Sequence, residues 1–406
     1  MSATSPQGPG VEAKYRLRAL VHTTFTPGTP ISNLDLLAGR DRQIDKVLET
    51  VFSPGQHAAI YGERGVGKSS LANLIYDIVF ATGKENFIPV RVNCSNMVSF
   101  HEIWREIFRQ IQMNSKEGEV LMEDQVSDTP NSEDIRHIFE QASNPSIVVI
   151  DEFDRVDATT AAAMSDTIKT LSDRAVDTTL VIVGVGESLE QLIHEHQSID
   201  RAIIQIPLQR MSRDELIAIV TKGLTRISEL TIEAGLDKRM AEISKGLPHY
   251  MHLLAKHSAL SVINDGRREI VQSDYEYGLK TSTEDKSQTL GQAYINATHS
   301  AKESIFEEVL LACALATDAR GFFGAKDVRT PLTKIMKKPV KIEAYIRHLD
   351  KFSQVPRGPI LKKEGQKRRF QYSFIDPMMQ PYVLMKGIAE DKITEEQLRV
   401  LSNPSI

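Results

Sequence analysis

The segment GERGVGKSS at residues 62–70 lies between the apolar run AAIY at 58–61 and the apolar-rich stretch LANLIYDIVF at 71–80. It fits the pattern G-x-x-x-x-G-K-[S/T], which marks a phosphate-binding loop between a strand and a helix. Its glycines permit positive φ, so successive backbone N–H groups turn toward a phosphate at the N-terminus of the helix. The sequence therefore predicts that this loop binds the phosphates of a nucleotide.

Two side chains of the loop have the chemistry that a magnesium nucleotide requires. Lys68 supplies a positive charge for the terminal phosphates, and Ser69 supplies a hydroxyl for Mg²⁺, a hard ion that prefers oxygen ligands. The alternative is an incidental Lys-Ser pair after a glycine-rich turn, and the flanking strand and helix patterns argue against it. The residues expected around the phosphates are Gly62, Glu63, Arg64, Gly65, Val66, Gly67, Lys68, Ser69 and Ser70.

Adjacent carboxylates follow a second apolar run, in SIVVIDEFDRV at residues 146–156. Acidic groups at the end of a buried strand are costly unless a cation or a reacting group meets them. We expect Asp151 to hold Mg²⁺ through water and Glu152 to act as the general base on an attacking water. The alternative is a strand end capped by solvated acids. Asp154 is interpreted as structural.

Five apolar runs rich in β-branched residues alternate with amphipathic stretches between residues 31 and 209. The runs are AAIY (58–61), IPVRV (88–92), SIVVI (146–150), TLVIVGV (179–185) and AIIQIPL (202–208). Such an alternation is typical of a parallel sheet with helices on both faces. The predicted fold class is α/β, with a three-layer nucleotide-binding domain over residues 31–209.

The remaining segments differ from this domain in pattern. Residues 1–30 begin with small, polar, Pro- and Gly-containing sequence, and we expect a disordered tail. Apolar residues recur at three-to-four spacing over 210–299, which predicts an all-helical domain. Residues 300–390 show three helical patterns followed by a hairpin, which indicates a winged helix, and 391–406 form a C-terminal tail.

The composition is that of a globular protein, with 41% hydrophobic and 25% charged residues in a chain of 406. No run approaches the roughly 18 apolar residues that a membrane span needs. The N-terminus lacks the apolar segment of a secretory signal, so we expect a cytoplasmic protein without a membrane role. Cys94 and Cys313 have no metal-ligand spacing and are expected to be buried apolar residues.

The C-terminal part is basic although the whole chain has a net charge of -5, since residues 300–390 contain 17 Lys and Arg against 10 Asp and Glu. Clustered cations that contact phosphates predict duplex DNA as a partner. A protein partner and a merely solvated surface are the alternatives. The candidate contacts are Lys334, Lys337, Lys338, Lys341 and Arg347 around a recognition helix, and Lys362, Lys363, Lys367, Arg368 and Arg369 on the wing.

Taken together, these motifs resemble the AAA+ ATPases, and within them the branch shared by origin-recognition-type replication initiators and signal-transduction (STAND) ATPases. LLAGRDRQIDKVLETVF at 36–52 is similar to a helix of that branch whose start, here Gly39 and Arg40, lies near adenine. KGLPHYMHLL at 245–254 is similar to the turn that opens a lid helix over the nucleotide, here at Pro248 and His249. The resemblance spans residues 31–387 and implies ATP, Mg²⁺, ATP hydrolysis and self-association.

Several positions depart from the pattern of that branch. Glycines in TLVIVGVGES occupy the place of the polar residue that senses the γ-phosphate, with Glu187 or Ser188 as substitutes. His249 stands where the lid helix usually has an arginine. Arg201 matches an arginine finger that completes a neighbouring subunit's site, and the alternative is a surface arginine paired with Asp200 or Glu187. We therefore expect hydrolysis that is slow or gated by assembly.

Three functions from different classes fit these observations. The first is an ATP-dependent switch that assembles on DNA through a winged helix. The second is a STAND-like regulator whose C-terminal domain binds a protein effector, as in a defence or transposition-type system. The third is a small-molecule kinase, against which the paired carboxylates and the additional domains argue. Salt-sensitive DNA binding separates the first two.

Overall fold

The computed structural model describes residues 9–84, 86–94, 99–114, 122–142, 144–186, 188–193, 199, 201–284, 288–300, 304–366 and 369–402. The chain divides into two compact units, Pro30–Gln209 and the combination of Met1–Thr29 with Arg210–Ile406. It therefore passes from one unit to the other twice, after residue 29 and after residue 209.

The Pro30–Gln209 unit is built on a five-stranded parallel sheet. The strands are β1 (His57–Gly62), β2 (Ile88–Asn93), β3 (Ser146–Asp151), β4 (Thr178–Val185) and β5 (Ile203–Pro207). They lie in the order β2-β3-β4-β1-β5, and each neighbouring pair is parallel. Every predicted apolar run is one of these strands, which confirms the predicted α/β sheet.

Helices connect and cover the strands of this unit. They are α2 (Asp41–Phe52), α3 (Lys68–Phe80), α4 (Phe100–Asn114), α5 (Ser132–Phe139), α6 (Ala158–Asp173) and α7 (Leu189–Ile193). Buried residues of α4 recur at three-to-four spacing, and its Trp104 meets Phe139 of α5 edge-on with ring centroids 5.7 Å apart. Such spacing buries one face of a helix against the sheet.

The sheet brings the two sequence motifs to one edge. Strand β4 lies between β1 and β3, with Ile182 opposite Ile150 of β3 and Val185 opposite Gly62 of β1. Because all three strands are parallel, their carboxyl ends meet at the same edge, where ligands bind in open α/β sheets. The glycine-rich loop and the paired carboxylates therefore flank the end of β4.

The second unit contains a helical region that follows β5. Its helices are α8 (Arg213–Ile227), α9 (Leu236–Ser244), α10 (Pro248–Asn264), α11 (Gln272–Glu284) and α12 (Gln288–Thr298). Strands β6 (Thr231–Ile232) and β7 (Glu269–Ile270) pair in parallel between them. Two-residue strands are too short to leave an alternating pattern in the sequence.

The C-terminal elements of this unit follow the order helix, strand, helix, helix, strand, strand. They are α13 (Phe306–Ala316), β8 (Phe322–Gly324), α14 (Arg329–Met336), α15 (Ile342–Phe352), β9 (Leu361–Glu364) and β10 (Gln371–Phe374). The strands form an antiparallel sheet in the order β8-β10-β9. Helices α16 (Met379–Ala389) and α17 (Glu395–Ser402) close the chain, so the predicted C-terminal tail contains a helix.

The expectation of a disordered tail over residues 1–30 is wrong for Pro9–Thr24, which forms helix α1. Leu17, Val21 and Phe25 are at most 2% exposed, and α1 packs on α8 and α10. Phe25 meets His252 of α10 edge-on, with centroids 6.2 Å apart. These apolar residues are spaced four apart, which is the helical signal that the polar composition of the first ten residues obscured.

The expected burial of both cysteines is confirmed. Cys94 and Cys313 are buried and unbridged. Within the described ranges, none of the helices is long and apolar enough to cross a membrane.

Candidate functional site

The loop between β1 and α3 requires its glycines. Gly62, Gly65 and Gly67 have φ of 155°, 87° and 99°, values that residues with a Cβ rarely adopt. A Cβ on Gly62 would lie 2.2 Å from the carbonyl oxygen of Leu208. Gly67 is the N-cap of α3, and the first N–H groups of any helix have no acceptor within the helix. The loop therefore presents backbone donors and a helix N-terminus to an anion.

Lys68 is folded back into this loop. Its side chain is buried, and Nζ donates to the carbonyl oxygens of Gly62 and Glu63 at 3.0 and 2.9 Å. Burial lowers the pKa of Lys68 to about 8, against the opposing effect of Asp154 and Asp151. Because burial disfavours the charged ammonium, an anion bound in the loop would stabilise it. The residues present therefore fit a phosphate group.

Asp151 lies at the end of β3 and is 4% exposed. Its Oδ1 accepts the backbone N–H of Glu152 at 2.9 Å, and its Oδ2 lies 2.7 Å from Nη2 of Arg91. Arg91 is a residue of β2, and no motif in the sequence pointed to it. Both oxygens of the carboxylate are therefore oriented by the protein.

Glu152 has a backbone conformation that is unusual for a residue with a side chain, since its φ is 57°. Left-handed conformations of such residues are costly and concentrate at functional sites. Its carboxylate Oε2 lies 3.2 Å from Nε of Arg155. The side chain of Glu152 is 38% exposed and that of Asp151 is 6% exposed. The Glu152 side chain is therefore more exposed than that of Asp151, although its Oε2 atom is itself buried.

Asp154 connects the loop after β3 to the end of β4, because its Oδ1 accepts the N–H of Val185 at 2.7 Å. This contact supports its predicted structural role. Gly184 precedes Val185, and a Cβ there would lie 2.9 Å from Oδ1 and 3.1 Å from the backbone nitrogen of Asp154, besides 2.3 Å from Cδ1 of Leu192. The glycine at the expected sensor position thus has a steric reason. Of the proposed substitutes, Ser188 is half-buried and Glu187 lies outside the described residues.

Arg40 contributes to the loop in a way that the sequence did not indicate. Gly39 and Arg40 both have positive φ, 61° and 72°, and Arg40 is the N-cap of α2. The Arg40 side chain is buried, and its Nη2 donates to the carbonyl oxygen of Val66 at 2.8 Å. Arg40, at the start of α2, is therefore hydrogen-bonded to the phosphate loop. The approach of the Gly39 and Arg40 backbone to adenine stays a prediction.

The hydroxyl groups after Lys68 have different surroundings. Ser70 Oγ accepts the backbone N–H of Ile31 at 3.2 Å, and Asn73 of α3 donates to the Ile31 carbonyl oxygen at 2.8 Å. Ser69, the predicted magnesium ligand, is half-buried in the first turn of α3. Ser70 therefore binds the backbone of Ile31, near the start of this unit.

Arg201 forms an ion pair that was not predicted, between its Nη2 and Oδ1 of Asp173 at 2.6 Å. The side chains are 74% and 42% exposed, so the pair contributes little to stability. The predicted partners Asp200 and Glu187 lie outside the described residues.

Pro248 and His249 are the first residues of α10 and belong to the second unit. Nδ1 of His249 lies 2.6 Å from the carbonyl oxygen of Pro27, to which it donates in the tautomer that places a proton on Nδ1. His252 is buried in the same helix, and burial lowers its pKa to about 4, so it is neutral at pH 7. The observed contact of His249 is thus to the N-terminal segment.

The basic C-terminal residues are only partly available to a partner. Lys362 pairs with Glu364, and Lys363 Nζ lies 2.7 Å from Oδ1 of Asp350. Lys367 and Arg368 lie outside the described residues. The other predicted contacts are all exposed, and they are Lys334, Lys337, Lys338, Lys341, Arg347 and Arg369.

Replacing Arg40 by alanine is expected to weaken binding of a fluorescent ADP analogue about tenfold, because a charged hydrogen bond of roughly 1.5–3 kcal/mol no longer holds the Val66 carbonyl. The measurement is a fluorescence titration with Mg²⁺. Arg42→Ala, on the exposed side of α2, is the matched control and should stay near wild type. Equal affinities of the two variants would contradict this role for Arg40.

Comparison with known structures supports the fold. The Walker-type ATPase of Pyrococcus abyssi is similar at 12% identity and a TM-score of 0.53, over 88% of this chain and 98% of that chain. The ORC2 protein of Aeropyrum pernix, solved as ADPNP-ADP complexes, is similar at 14% identity and a TM-score of 0.51, over 91% and 98%. At these identities the likeness concerns the fold alone.

A search of curated proteins finds no match. The family model described as Novel STAND NTPase 1 matches residues 31–333, which is most of the chain and includes the phosphate loop and both carboxylates. The chain belongs to the Novel STAND NTPase 1 family.

Proposed function

We propose that this protein is a slow ATPase that acts as a molecular switch controlled by its nucleotide state: it binds Mg-ATP at the loop of residues 62–70 and hydrolyses it with Glu152 as general base. The observation that carries the proposal is the placement of the glycine loop and the Asp151–Glu152 pair on either side of β4 at one sheet edge. The family and the fold support an NTPase. That this NTPase hydrolyses ATP is the part that we propose.

The residues at this edge divide into binding and reacting groups. Lys68 and the N-terminus of α3 would hold the β- and γ-phosphates, and Mg²⁺ would be held by Ser69 and, through water, by Asp151. The ion would neutralise charge on the phosphate oxygens. Glu152, the more exposed of the two acids, would orient a water molecule and accept its proton. The buried Lys68 and Asp151 are thus assigned to binding, and the more exposed Glu152 is assigned to the reaction with water.

Two observations support slow turnover. Gly184 leaves no polar side chain at its own position near the end of β4, and the Glu152 carboxylate lies against the Arg155 guanidinium. In this conformation the carboxylate is engaged in an ion pair, with its Oε2 3.2 Å from Nε of Arg155. We infer that Glu152 must separate from Arg155 before it acts, which makes assembly or a partner a means of control.

Substitutions at Lys68 and Glu152 separate binding from chemistry. Lys68→Ala should leave no detectable binding of the ADP analogue even at millimolar concentrations, because the buried ammonium proposed to contact the phosphates is lost. Glu152→Gln should retain binding and lose hydrolysis by about 100-fold or more, because an amide does not accept the proton. Fluorescence titration and phosphate release measure the two effects.

The exposed Lys169→Ala on α6 controls for a general loss of cationic charge. Normal nucleotide affinity in Lys68→Ala would overturn the phosphate site. Wild-type turnover in Glu152→Gln would require another base.

We further propose that the protein self-associates and that Arg201 completes a neighbour's site. Its guanidinium is largely exposed and pairs with Asp173 at the surface, so an approaching phosphate can compete for it. A guanidinium supplied in trans stabilises charge in phosphoryl transfer. This role would explain hydrolysis that depends on assembly.

Mixing two inactive variants tests this role. Arg201→Ala and Glu152→Gln proteins should each be inactive, and an equimolar mixture should recover about a quarter of the wild-type sites, the fraction that combines an intact base with an intact neighbouring arginine. Phosphate release at a concentration that supports assembly is the readout. Absence of recovery, or full activity of Arg201→Ala alone, would leave Arg201 as a surface residue.

The C-terminal domain is proposed to be a winged helix that binds duplex DNA. The order of α13 to β10 and the exposed face of α15 support this assignment, and Lys338, Lys341 and Arg347 lie exposed in α15 or shortly before it. Binding of a protein effector is the alternative, favoured by the pairing of Lys362 and Lys363 with acidic residues, which lowers the free positive charge of the wing.

A triple alanine substitution of Lys338, Lys341 and Arg347 should weaken duplex binding and reduce the slope of log K against log salt by about 3, since each phosphate contact contributes about 0.9. Fluorescence anisotropy between low and moderate salt measures the slope. The exposed pair Lys169→Ala with Arg174→Ala, in the other unit, is the control. Duplex affinity that is undetectable or insensitive to salt would favour the protein effector.

A further inference from the structure

Arg91 reaches from one strand to the carboxylate of another. It lies on β2, two residues before Asn93, which is the register partner of Asp151 on β3. Its Nη2 lies 2.7 Å from Oδ2 of Asp151. The side chain of Arg91 is 29% exposed and that of Asp151 is 6% exposed, so the pair is largely sheltered from water. A charge-assisted hydrogen bond in such a place is stronger than a surface ion pair.

The guanidinium of Arg91 is held in place from its other end. Nη1 donates to Oδ1 of Asn73 at 2.7 Å, and the Asn73 amide donates in turn to the Ile31 carbonyl oxygen at 2.8 Å. Asn73 is on α3, the helix that begins at Lys68. The planar fork of an arginine can satisfy two acceptors at once, whereas a lysine presents a single ammonium. Asn73 of α3 therefore orients the Arg91 guanidinium, which in turn orients the Asp151 carboxylate at the end of β3.

This arrangement determines how Asp151 can meet a metal ion. Oδ2 faces Arg91 and Oδ1 accepts the N–H of Glu152 at 2.9 Å, so both oxygens already have partners. A metal ion bound directly to this carboxylate would lie close to the Arg91 guanidinium, and the two positive charges would repel each other. Mg²⁺ gives up its waters reluctantly and usually keeps several of them. Asp151, paired in this way, is therefore better placed to contact the ion through its bound water than directly.

We propose that Arg91 is a positioning residue that keeps Asp151 from binding the metal ion of a bound magnesium nucleotide directly. Asp151 would then contact the ion through its water shell, and the site would bind the metal less tightly than one with an unpaired carboxylate. Turnover benefits because the carboxylate stays fixed next to Glu152. The proposal rests on the proposed function, since it concerns the same nucleotide site.

A purely structural ion pair is the competing account, and the two accounts differ in the expected direction of metal affinity. Loss of a structural pair disturbs the sheet edge and weakens metal and nucleotide together. Loss of a restraining arginine removes a positive charge near the metal and frees the carboxylate, so the metal binds more tightly while hydrolysis slows. Tighter metal binding together with slower hydrolysis would therefore identify Arg91 as a positioning residue.

The test uses Arg91→Met in the full chain, because methionine keeps much of the length and removes the charge. Mn²⁺ binding in the presence of saturating ADP is followed by electron paramagnetic resonance of free Mn²⁺, and phosphate release is followed separately. We expect the Mn²⁺ dissociation constant to fall about fivefold or more, as removal of a nearby like charge predicts, while hydrolysis falls about tenfold. Mn²⁺ binding that is unchanged or weaker overturns the proposal.

Arg91→Lys and Asn73→Ala keep the proposal testable if the methionine variant does not fold. In Arg91→Lys the charge is retained without the fork, so Mn²⁺ affinity should stay near wild type while hydrolysis falls. Asn73→Ala leaves the ion pair but frees its far end, and should lower hydrolysis with a smaller change in Mn²⁺ affinity. Tighter Mn²⁺ binding by Arg91→Lys than by wild type would contradict the account based on charge.

The exposed Arg105→Met on α4 serves as the matched control for a lost arginine. ADP affinity in EDTA, measured for every variant, reports on nucleotide binding without the metal. If wild-type protein binds no nucleotide, the proposed function fails. If wild-type protein binds Mn-ADP and Arg91→Met matches it in metal affinity, only the role of Arg91 fails.

Discussion

The parallel pairing of β4 with both β1 and β3 is the constraint on which the site depends. It places the end of β4 between the phosphate loop and the Asp151–Glu152 pair. Each motif alone would be a turn or a pair of acids at the end of a buried strand. Placed side by side, they combine a helix N-terminus, a buried cation and two carboxylates of unequal exposure. The chemistry follows from strand order as much as from residue type.

Much of this arrangement can be predicted from the sequence, because it is encoded locally. Each signal occupies only a few consecutive residues. These signals are the β-branched runs, the glycine pattern and the position of Asp151 directly after an apolar strand. The contacts of Arg40 and Arg91 were not predicted, because their partners at Val66 and Asp151 are brought close only by the fold. Helix α1 was missed because an interval of four between apolar residues is weak evidence in a polar segment.

Contacts within the second unit join its helical region to the C-terminal elements. The Tyr250 hydroxyl of α10 donates to the carbonyl oxygen of Met378, and Arg239 of α9 pairs with Glu395 of α17. Arg210 donates to Gln380 of α16, immediately after the chain enters this unit. These contacts connect α10 to the start of α16 and connect α9 to α17. The proposed switch would use such contacts to transmit a change from one domain to another.

The central claim is that residues 62–70 and the Asp151–Glu152 pair form one nucleotide site, and amide hydrogen exchange tests it most directly. With saturating ADPNP and Mg²⁺, the account predicts slower exchange for peptides that cover the phosphate loop together with peptides that cover residues 150–153, because bound phosphate and metal order both. Unchanged exchange in the loop peptides at millimolar nucleotide would contradict it.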